Sequence, residues 1–449
     1  MKCKRVFISI ILAVLLLSCA GCDLSDRDSL FALPELSGQY SYLQKELDKI
    51  LAEGATYTVA GTGSLRSSVQ MVDLNGDGKE EALGLFLSAE GVPEVHVFHM
   101  EERGCTWLGK LTGVGSGVRE IRLLSRGTQG QKALAVSWAY EKDTRYYGMT
   151  VAALGGNELF VMLDLQYTAF LSQDLDEDGV EELTFVRPSR SDESLYSCVY
   201  QVSGDSYRLA AQASLCIEAQ SVMKMHYDQV QEGKTALVVE SSAKQGGYVT
   251  DVLDFNGEAL ENLTRDVISG SGLAFWRQAA VGAYDVDGDG LLEVPASITP
   301  DVSGDAESNI LWMNLDATGV TEYTMTYHNI SEKWALCWPE AWPHELLVGM
   351  YADYSNKENV ATTTFYVWDA DVENDTLRKQ VLLTVWAFHG EDRVRLRNQH
   401  NTVTALNETG EILYGYTLPE KVSDKYFLSD EIVKSLFRLF DGALEGGGE

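Results

Sequence analysis

The stretch Asp73-Leu74-Asn75-Gly76-Asp77-Gly78-Lys79-Glu80-Glu81 returns twice in related form, at residues 174–182 and 285–293. Each copy carries oxygen-bearing side chains at positions 1, 3, 5 and 9, and a glycine at position 6, where the chain must turn sharply. Hard cations prefer oxygen donors, and no His or Cys lies within the three loops. The pattern therefore predicts three calcium sites.

Crowded carboxylates oppose one another's ionisation, and a bound divalent cation removes that cost. The other interpretation is a set of solvated acidic β-turns. The predicted side-chain ligands are Asp73, Asn75, Asp77 and Glu81; Asp174, Asp176, Asp178 and Glu182; and Asp285, Asp287, Asp289 and Glu293. Position 7, occupied by Lys79, Val180 and Leu291, would contribute only its backbone carbonyl.

An EF-hand begins with a similar pattern but requires an acid at position 12 of the loop. That position holds Gly84, Phe185 and Ala296 in the three copies, so the EF-hand is excluded. Strand-like sequence flanks the first loop at residues 68–72 and 82–87. These flanks predict a strand-loop-strand calcium site.

The three loops resemble the calcium loops of FG-GAP/VCBS-type repeats, which are found in integrin-α-like β-propellers. The pattern of those repeats is Asp-x-Asp/Asn-x-Asp-Gly-x-x-Asp/Glu, and the three loops match it residue for residue. The resemblance implies a propeller blade around each loop, a structural role for calcium, and extracellular binding or adhesion. The Phe-Gly and Gly-Ala-Pro signatures of the family are not recognisable in this chain.

A longer repeat appears when the starting residues of the strands that follow the loops are compared. These strands begin near Ala82, Leu183 and Val294, and similar apolar runs begin at residues 133, 236 and 335, giving intervals of 41 to 58 residues. This period is typical of four-stranded propeller blades. The corresponding loops at 125–130 and 228–233 lack the required donors, so neither is expected to bind calcium.

The predicted fold is therefore all-β, a β-propeller of four-stranded blades of about 50 residues, with seven blades favoured and six as the alternative. An amphipathic pattern predicts a short helix over 37–54. The propeller repeats are expected over 55–330. Residues 331–449 are expected to form either the closing blades or a small α+β region, ending in a helix with Ser429 as N-cap and Gly442 as its stop.

The N-terminus has the pattern of a secretory leader. Lys2, Lys4 and Arg5 precede the apolar run 6–17, which is too short for a comfortable membrane span. The small residues and cysteines that follow resemble a bacterial lipobox. This implies a lipoprotein signal peptide over 1–22, a linker over 23–36, and a lipid anchor on the outer face of the bacterial cell membrane. Cys22 is the favoured lipidation residue and Cys19 the alternative; an ordinary signal peptide is the other interpretation.

The charge balance restricts the partners. The chain carries 67 acidic side chains against 35 Lys and Arg, a formal net charge of −32. This argues against nucleic acid as a partner and against membrane binding other than through the lipid anchor. After the leader only Cys105, Cys198, Cys216 and Cys337 remain, and they are expected to be mostly free thiols in a monomeric protein.

Known catalytic motifs are absent: the sequence has no Walker loop, nucleophile elbow or zinc-protease helix. Trp334, Trp338 and Trp342 have two interpretations, stacking on sugars or burial between sheets. The favoured function is a non-enzymatic, calcium-stabilised extracellular lipoprotein that binds an unidentified protein or glycan. The alternative is a secreted carbohydrate-active or other hydrolase on the same scaffold, because 67 acids would hide a catalytic pair.

Overall fold

The computed structural model describes residues 38–127, 130–140, 146–192, 194–297, 309–316, 319–343, 347–353, 359–371, 376–440 and 444. The predicted signal peptide, the linker and both candidate lipidation residues, Cys19 and Cys22, lie outside these ranges. Within them, no helix has the length and apolar character needed to cross a bilayer.

The described chain is mainly β-structure, arranged as six antiparallel sheets of four or five strands that follow one another along the sequence. The first sheet contains β1 (Thr56–Tyr57), β2 (Val69–Val72), β3 (Glu81–Leu87), β4 (Pro93–Glu101) and β5 (Gly104–Thr112); the second contains β6 (Gly117–Ser125), β7 (Lys132–Ala139), β8 (Tyr147–Gly155) and β9 (Glu158–Tyr167). The third contains β10 (Ala169–Gln173), β11 (Glu182–Pro188), β12 (Leu195–Ser203) and β13 (Ser206–Ser214).

The fourth sheet contains β14 (Ala219–Gln231), β15 (Lys234–Ala243), β16 (Tyr248–Phe255), β17 (Leu260–Asn262) and β18 (Trp276–Arg277). The fifth contains β19 (Val294–Ser297), β20 (Asn309–Asp316), β21 (Gly319–Asn329), β22 (Trp334–Cys337) and the late strand β28 (Phe437–Leu439). The sixth contains β23 (Leu347–Asp353), β24 (Val360–Asp371), β25 (Thr376–His389), β26 (Thr404–Glu408) and β27 (Ile412–Thr417). The described elements also include three α-helices, α1 (Gly38–Ala52), α2 (Arg393–Gln399) and α3 (Asp430–Leu436), and two short 3₁₀ helices, Leu273–Phe275 and Asp424–Tyr426.

The hydrophobic cores lie between consecutive sheets. Because side chains alternate across a strand, a sheet packed on both faces reads as a nearly continuous apolar run, as in β3. Representative core pairs are Leu83 and Val136 between the first and second sheets, Val151 and Phe185 between the second and third, Val199 and Leu237 between the third and fourth, Val238 and Val294 between the fourth and fifth, and Tyr327 and Phe365 between the fifth and sixth.

Helices cover the two outermost faces of this series. Leu43 and Leu47 of α1 pack against Phe86 and Phe98 on the outer face of the first sheet. Leu396 of α2 packs against Phe388 on the outer face of the sixth. Among the described residues, no hydrophobic cluster joins the sixth sheet to the first.

The repeat of apolar runs predicted from the sequence locates most of the sheets, but the assignment of its last run is wrong. The run at Ala335 lies in β22, which pairs with β21 as a late strand of the fifth sheet instead of opening a new one. The expected boundary at 330/331 therefore falls between two paired strands. Six sheets are present in the described residues, so the prediction of seven blades is not confirmed.

The terminal helix is shorter than the sequence pattern indicates. Ser429 caps α3 as predicted, since its side chain accepts a hydrogen bond from the Ile432 N–H. The helix ends at Leu436 instead of continuing towards Gly442, because residues 437–439 pair with β22 in the fifth sheet. Phe437 and Phe440 are consequently buried through the sheet and not through a helical stripe.

The three tryptophans of residues 334–342 are core residues. Trp334, Trp338 and Trp342 are 1%, 8% and 3% exposed and belong to the cluster between the fifth and sixth sheets. Their indole faces therefore cannot stack on a sugar, and the sugar-binding interpretation of this cluster is wrong. The four described cysteines are free thiols.

A buried ion pair joins β15 to β18 within the fourth sheet, and its carboxylate also accepts a hydrogen bond from the segment that leads into the fifth sheet. Glu240 and Arg277 are 0% and 1% exposed, and Arg277 Nη2 donates to Glu240 Oε2 over 2.6 Å. The same carboxylate accepts hydrogen bonds from the Thr250 hydroxyl and the Ala283 N–H, both at 2.6 Å. Every oxygen of this buried carboxylate is therefore satisfied within the protein.

Candidate metal sites

The three acidic loops occupy equivalent places in alternate sheets. The first loop connects β2 to β3, and the second connects β10 to β11. The third runs from Tyr284 to Glu293, two residues that form an isolated β-bridge immediately before β19. The first two loops thus have the strand-loop-strand setting that the sequence predicts, in the first and third sheets, whereas the third loop is closed by a single bridge pair just before the fifth sheet begins.

The aspartate at position 1 lies inside a turn of backbone N–H groups. Asp73 accepts from Gly76 N and Gly78 N over 2.7 and 3.0 Å, and Asp285 accepts from Gly288 N and Gly290 N over 2.6 and 2.8 Å. Asp174 accepts from the N–H groups at positions 5 and 6 over 3.2 and 2.9 Å. These bonds hold each first aspartate in a fixed orientation at the centre of its loop.

The glutamate at position 9 is buried and anchors the far end of the loop. Glu81, Glu182 and Glu293 are 0%, 3% and 2% exposed. In each loop one oxygen of this glutamate accepts the N–H of position 2, over 2.9, 2.7 and 2.8 Å respectively. The position 7 residues Lys79, Val180 and Leu291 donate their N–H groups to the aspartate at position 5, over 2.8, 2.7 and 2.8 Å.

The predicted ligands converge to different extents in the three loops. Carboxylate oxygens of Asp174, Asp176 and Glu182 lie within 4.8 Å of one another, as do those of Asp285, Asp287 and Asp289. Among the described residues, the acids of the first loop do not form such a triad. This loop has an amide, Asn75, at position 3, whose Oδ1 accepts the Asp77 N–H over 2.9 Å.

The crowding of acids has an electrostatic cost. Burial, reinforced by the three neighbouring aspartates and opposed by the hydrogen bond from the Val286 N–H, raises the pKa of Glu293 to about 7. Burial likewise raises the pKa of Glu182, with Asp174, Asp176 and Asp178 adding to the effect. A divalent cation would relieve this repulsion, and carboxylate and amide oxygens are the donors that hard cations prefer.

Positions 4 and 6 of every loop adopt the left-handed conformation. Gly78, Gly179 and Gly290 at position 6 have φ of 82°, 86° and 88°, as expected from the conserved spacing. Position 4 was not anticipated from the sequence: Gly76 and Gly288 have φ of 77° and 86°, but the second loop has Glu177 there, at φ 60°. A residue with a Cβ is strained in this region.

We therefore expect Glu177→Gly to stabilise the protein by about 0.5–1 kcal/mol, because relief of left-handed strain outweighs the greater flexibility of glycine in the unfolded chain. Glu177→Ala is the control, since it removes the same carboxylate but keeps the strain. Urea denaturation in chelator measures both variants. A gain in the alanine variant equal to that in the glycine variant would assign the effect to charge.

Two contacts to the loops come from distant sequence. The Tyr323 hydroxyl donates a hydrogen bond to Asp287, and this carboxylate raises the pKa of Tyr323 to about 12. His99 Nδ1 lies 3.1 Å from Glu81 Oε1. No local pattern signals these partners, because they depend on how β21 and β4 pair with their neighbours.

Residues of the second and fourth sheets form backbone hydrogen bonds with the acidic loops. Lys132 N donates to the carbonyl of Leu74 in the first loop over 2.9 Å, and Gly127 N donates to the carbonyl of Gly179 in the second loop over 2.9 Å. Leu292 N in the third loop donates to Gln229 O over 2.8 Å. Each acidic loop is thus hydrogen-bonded to a neighbouring sheet.

Comparison with known proteins identifies no family. No family profile matches the chain, and no curated protein matches it. Solved structures that are similar include Sqt1 of Saccharomyces cerevisiae, with 11% identity, 73% of this chain and 76% of that chain covered and a TM-score of 0.31. The β-propeller domain of the Trilobed protease of Pyrococcus furiosus has 12% identity, 73% and 93% coverage and a TM-score of 0.25.

A putative 6-phosphogluconolactonase of Bacteroides fragilis is also similar, with 11% identity, 72% of this chain and 92% of that chain covered and a TM-score of 0.24. These TM-scores are too low for the likeness to support any functional argument. The assignment of function therefore depends on the loops themselves.

Proposed function

We propose that this chain is a calcium-stabilised, non-enzymatic extracellular binding protein. The observation that carries the proposal is the repeated loop architecture: the position 1 aspartate held by backbone N–H groups and the position 9 glutamate bonded to position 2, three times over. Oxygen donors with this charge density favour calcium over zinc or copper.

Calcium has a structural role in this proposal. Its ligands fall within nine residues that join two strands, and each loop is also hydrogen-bonded to the adjacent sheet through Leu74, Gly179 or Leu292. An ion that orders the loop therefore also orders the contact between two sheets. The partners Gly127, Lys132 and Gln229 are ordered through these contacts, and their own segments of the chain have no set of calcium ligands in the sequence.

The six sheets serve as blades of the FG-GAP/VCBS type in an open, propeller-like series. The alternation of sheets with and without an acidic loop supports this assignment, as does the packing of each sheet against the next. The ligand is an extracellular protein or glycan. Free calcium outside cells is abundant, so loops of modest affinity suffice there.

The chain is anchored to the outer face of the bacterial membrane through lipidated Cys22, with Cys19 as the alternative. The support is the leader-like pattern of residues 1–22 in the sequence. Mass spectrometry of the N-terminal peptide from the native host distinguishes the two cysteines. An unmodified N-terminus would make the protein freely secreted.

Isothermal titration calorimetry tests the calcium proposal directly. Calcium added to chelator-treated protein is expected to bind with Kd values of about 10⁻⁴ to 10⁻³ M, the range of extracellular modules. The three loops predict a stoichiometry of three. Absence of binding at millimolar calcium would overturn the proposed function.

A further inference from the structure

A cavity of about 720 Å³ lies beside the third acidic loop, between the fourth and fifth sheets. Its volume is within the range of small-molecule sites. Lys224 comes from β14, Asp285 and Asp287 from the loop, and Arg438 from β28. Three separate segments of the chain therefore contribute charged side chains to one concave surface.

Most of the other lining residues are apolar, and some of them belong to the hydrophobic core. Ala335 and Phe440 are 2% and 6% exposed, and both belong to the hydrophobic cluster of the fifth sheet. Thr326, 1% exposed, accepts the indole N–H of Trp312 over 2.7 Å. One side of the cavity thus suits the hydrocarbon body of a ligand, and its wall is part of a rigid core.

The cationic side of the cavity is partly preorganised. Arg438 is exposed, and its Nη1 donates to the backbone carbonyls of Ser435 and Phe437, which restricts the guanidinium. Burial raises the pKa of the neighbouring Cys337 thiol, an effect that Arg438 opposes and Asp287 reinforces. The arginine and the loop carboxylate therefore act on the same region of the cavity.

We propose that this cavity binds a small organic carboxylate, with Arg438 and Lys224 as its anion contacts, when calcium occupies the third loop. The inference rests on the proposed function. Without calcium, Asp285 and Asp287 cancel the two cations, and Asp289 and Glu293 of the same loop add negative charge that repels an anion. Calcium adds two positive charges beside the cavity and offsets that negative charge. The apolar wall then receives the body of the ligand.

The test uses 2-naphthoate as the probe, with 2-naphthyl phosphate and neutral 2-naphthol as comparison compounds, titrated calorimetrically into the full chain with calcium or chelator. The expected result is naphthoate binding that is at least about tenfold weaker in chelator, and weak binding of naphthol under both conditions. Equal affinity for naphthol would overturn the role of the anion contacts. Tighter binding of the phosphate ester than of naphthoate would overturn the choice of carboxylate.

Two variants distinguish an effect of calcium in the third loop on naphthoate binding from an effect of calcium on the stability of the whole protein. Asp289→Ala removes the third calcium site and is expected to reduce naphthoate affinity to its value in chelator. Asp178→Ala removes the second site, in another sheet, and is expected to leave that affinity unchanged. An equal loss in both variants would mean that calcium acts only through overall stability, and would overturn the inference.

Variants of Lys224 and Arg438 test whether these two cations bind the carboxylate of the probe. Lys224→Gln with Arg438→Gln is expected to weaken naphthoate binding at least about tenfold, whereas Arg438→Lys retains most of it. The matched control is Lys421→Gln with Arg395→Gln on other surfaces. Calcium titration without naphthoate is measured first: absence of calcium binding overturns both proposals, whereas calcium binding with calcium-independent naphthoate affinity overturns only this inference.

Discussion

Removal of calcium is expected to lower the free energy of unfolding by about 4 kcal/mol at a calcium concentration ten times Kd. A ligand that binds only the folded state contributes RT ln(1 + [L]/Kd), which is about 1.4 kcal/mol for each of three independent sites. Thermal melting and urea denaturation, each with calcium and with chelator, measure the difference.

Single variants assign the effect to individual loops. Asp77→Ala, Asp178→Ala and Asp289→Ala remove the position 5 ligand of each loop, so each is expected to lose about 1.4 kcal/mol of the calcium-dependent stability. Asp228→Ala is the matched control, because Asp228 is an exposed aspartate on β14, in a segment that is predicted not to bind calcium. Its calcium response should equal that of the unaltered chain.

Hydrogen exchange provides a second measurement. Calcium is expected to slow exchange at the Gly127 and Lys132 amides, because these groups of the second sheet donate to the acidic loops. Identical melting with calcium and chelator would contradict the calcium assignment. An Asp228 variant that responds to calcium as poorly as the Asp289 variant would show that the ion-binding loops have been misassigned.

Glu240→Ala is expected to destabilise the protein by about 3–5 kcal/mol, because it leaves the buried Arg277 guanidinium without its carboxylate. It also leaves the Ala283 N–H without an acceptor. Urea denaturation monitored by tryptophan fluorescence gives the change in free energy of unfolding.

The control is Glu120→Ala on β6, where the Arg122 and Glu120 side chains of the ion pair are 43% and 19% exposed. This pair is expected to contribute about 0–1 kcal/mol. Replacing both buried partners, as in Glu240→Met with Arg277→Met, should recover much of the loss, since no uncompensated charge remains. A loss for Glu240→Ala no larger than that for Glu120→Ala would contradict the importance of the buried pair.

The sequence predicts the local features of this protein well. Each acidic loop is specified within nine residues, so its position just before a strand and the cap at Ser429 follow from short-range patterns. The repeat period also locates most of the sheets. A strand that follows an acidic loop packs on both faces, so it appears in the sequence as a continuous apolar run, as in β3.

Features that join distant residues could not be predicted. The run at Ala335 has the composition of an early strand, but its place is decided by pairing with β21 and with the late strand β28. Likewise, the contact of Tyr323 with Asp287 and the meeting of Lys224 with Arg438 around one cavity depend on the packing of separate sheets. Only the assembled structure brings these residues together.

The helices on the first and sixth sheets act as capping elements at the two ends of the series. A bare face at the end of a repeat array can recruit the matching face of another copy, and arrays avoid this with capping elements. Here Leu43 and Leu47 close one end and Leu396 closes the other. Each end of the series is thereby covered by the chain's own residues, which leaves the apolar faces of these two sheets unable to pair with those of another copy.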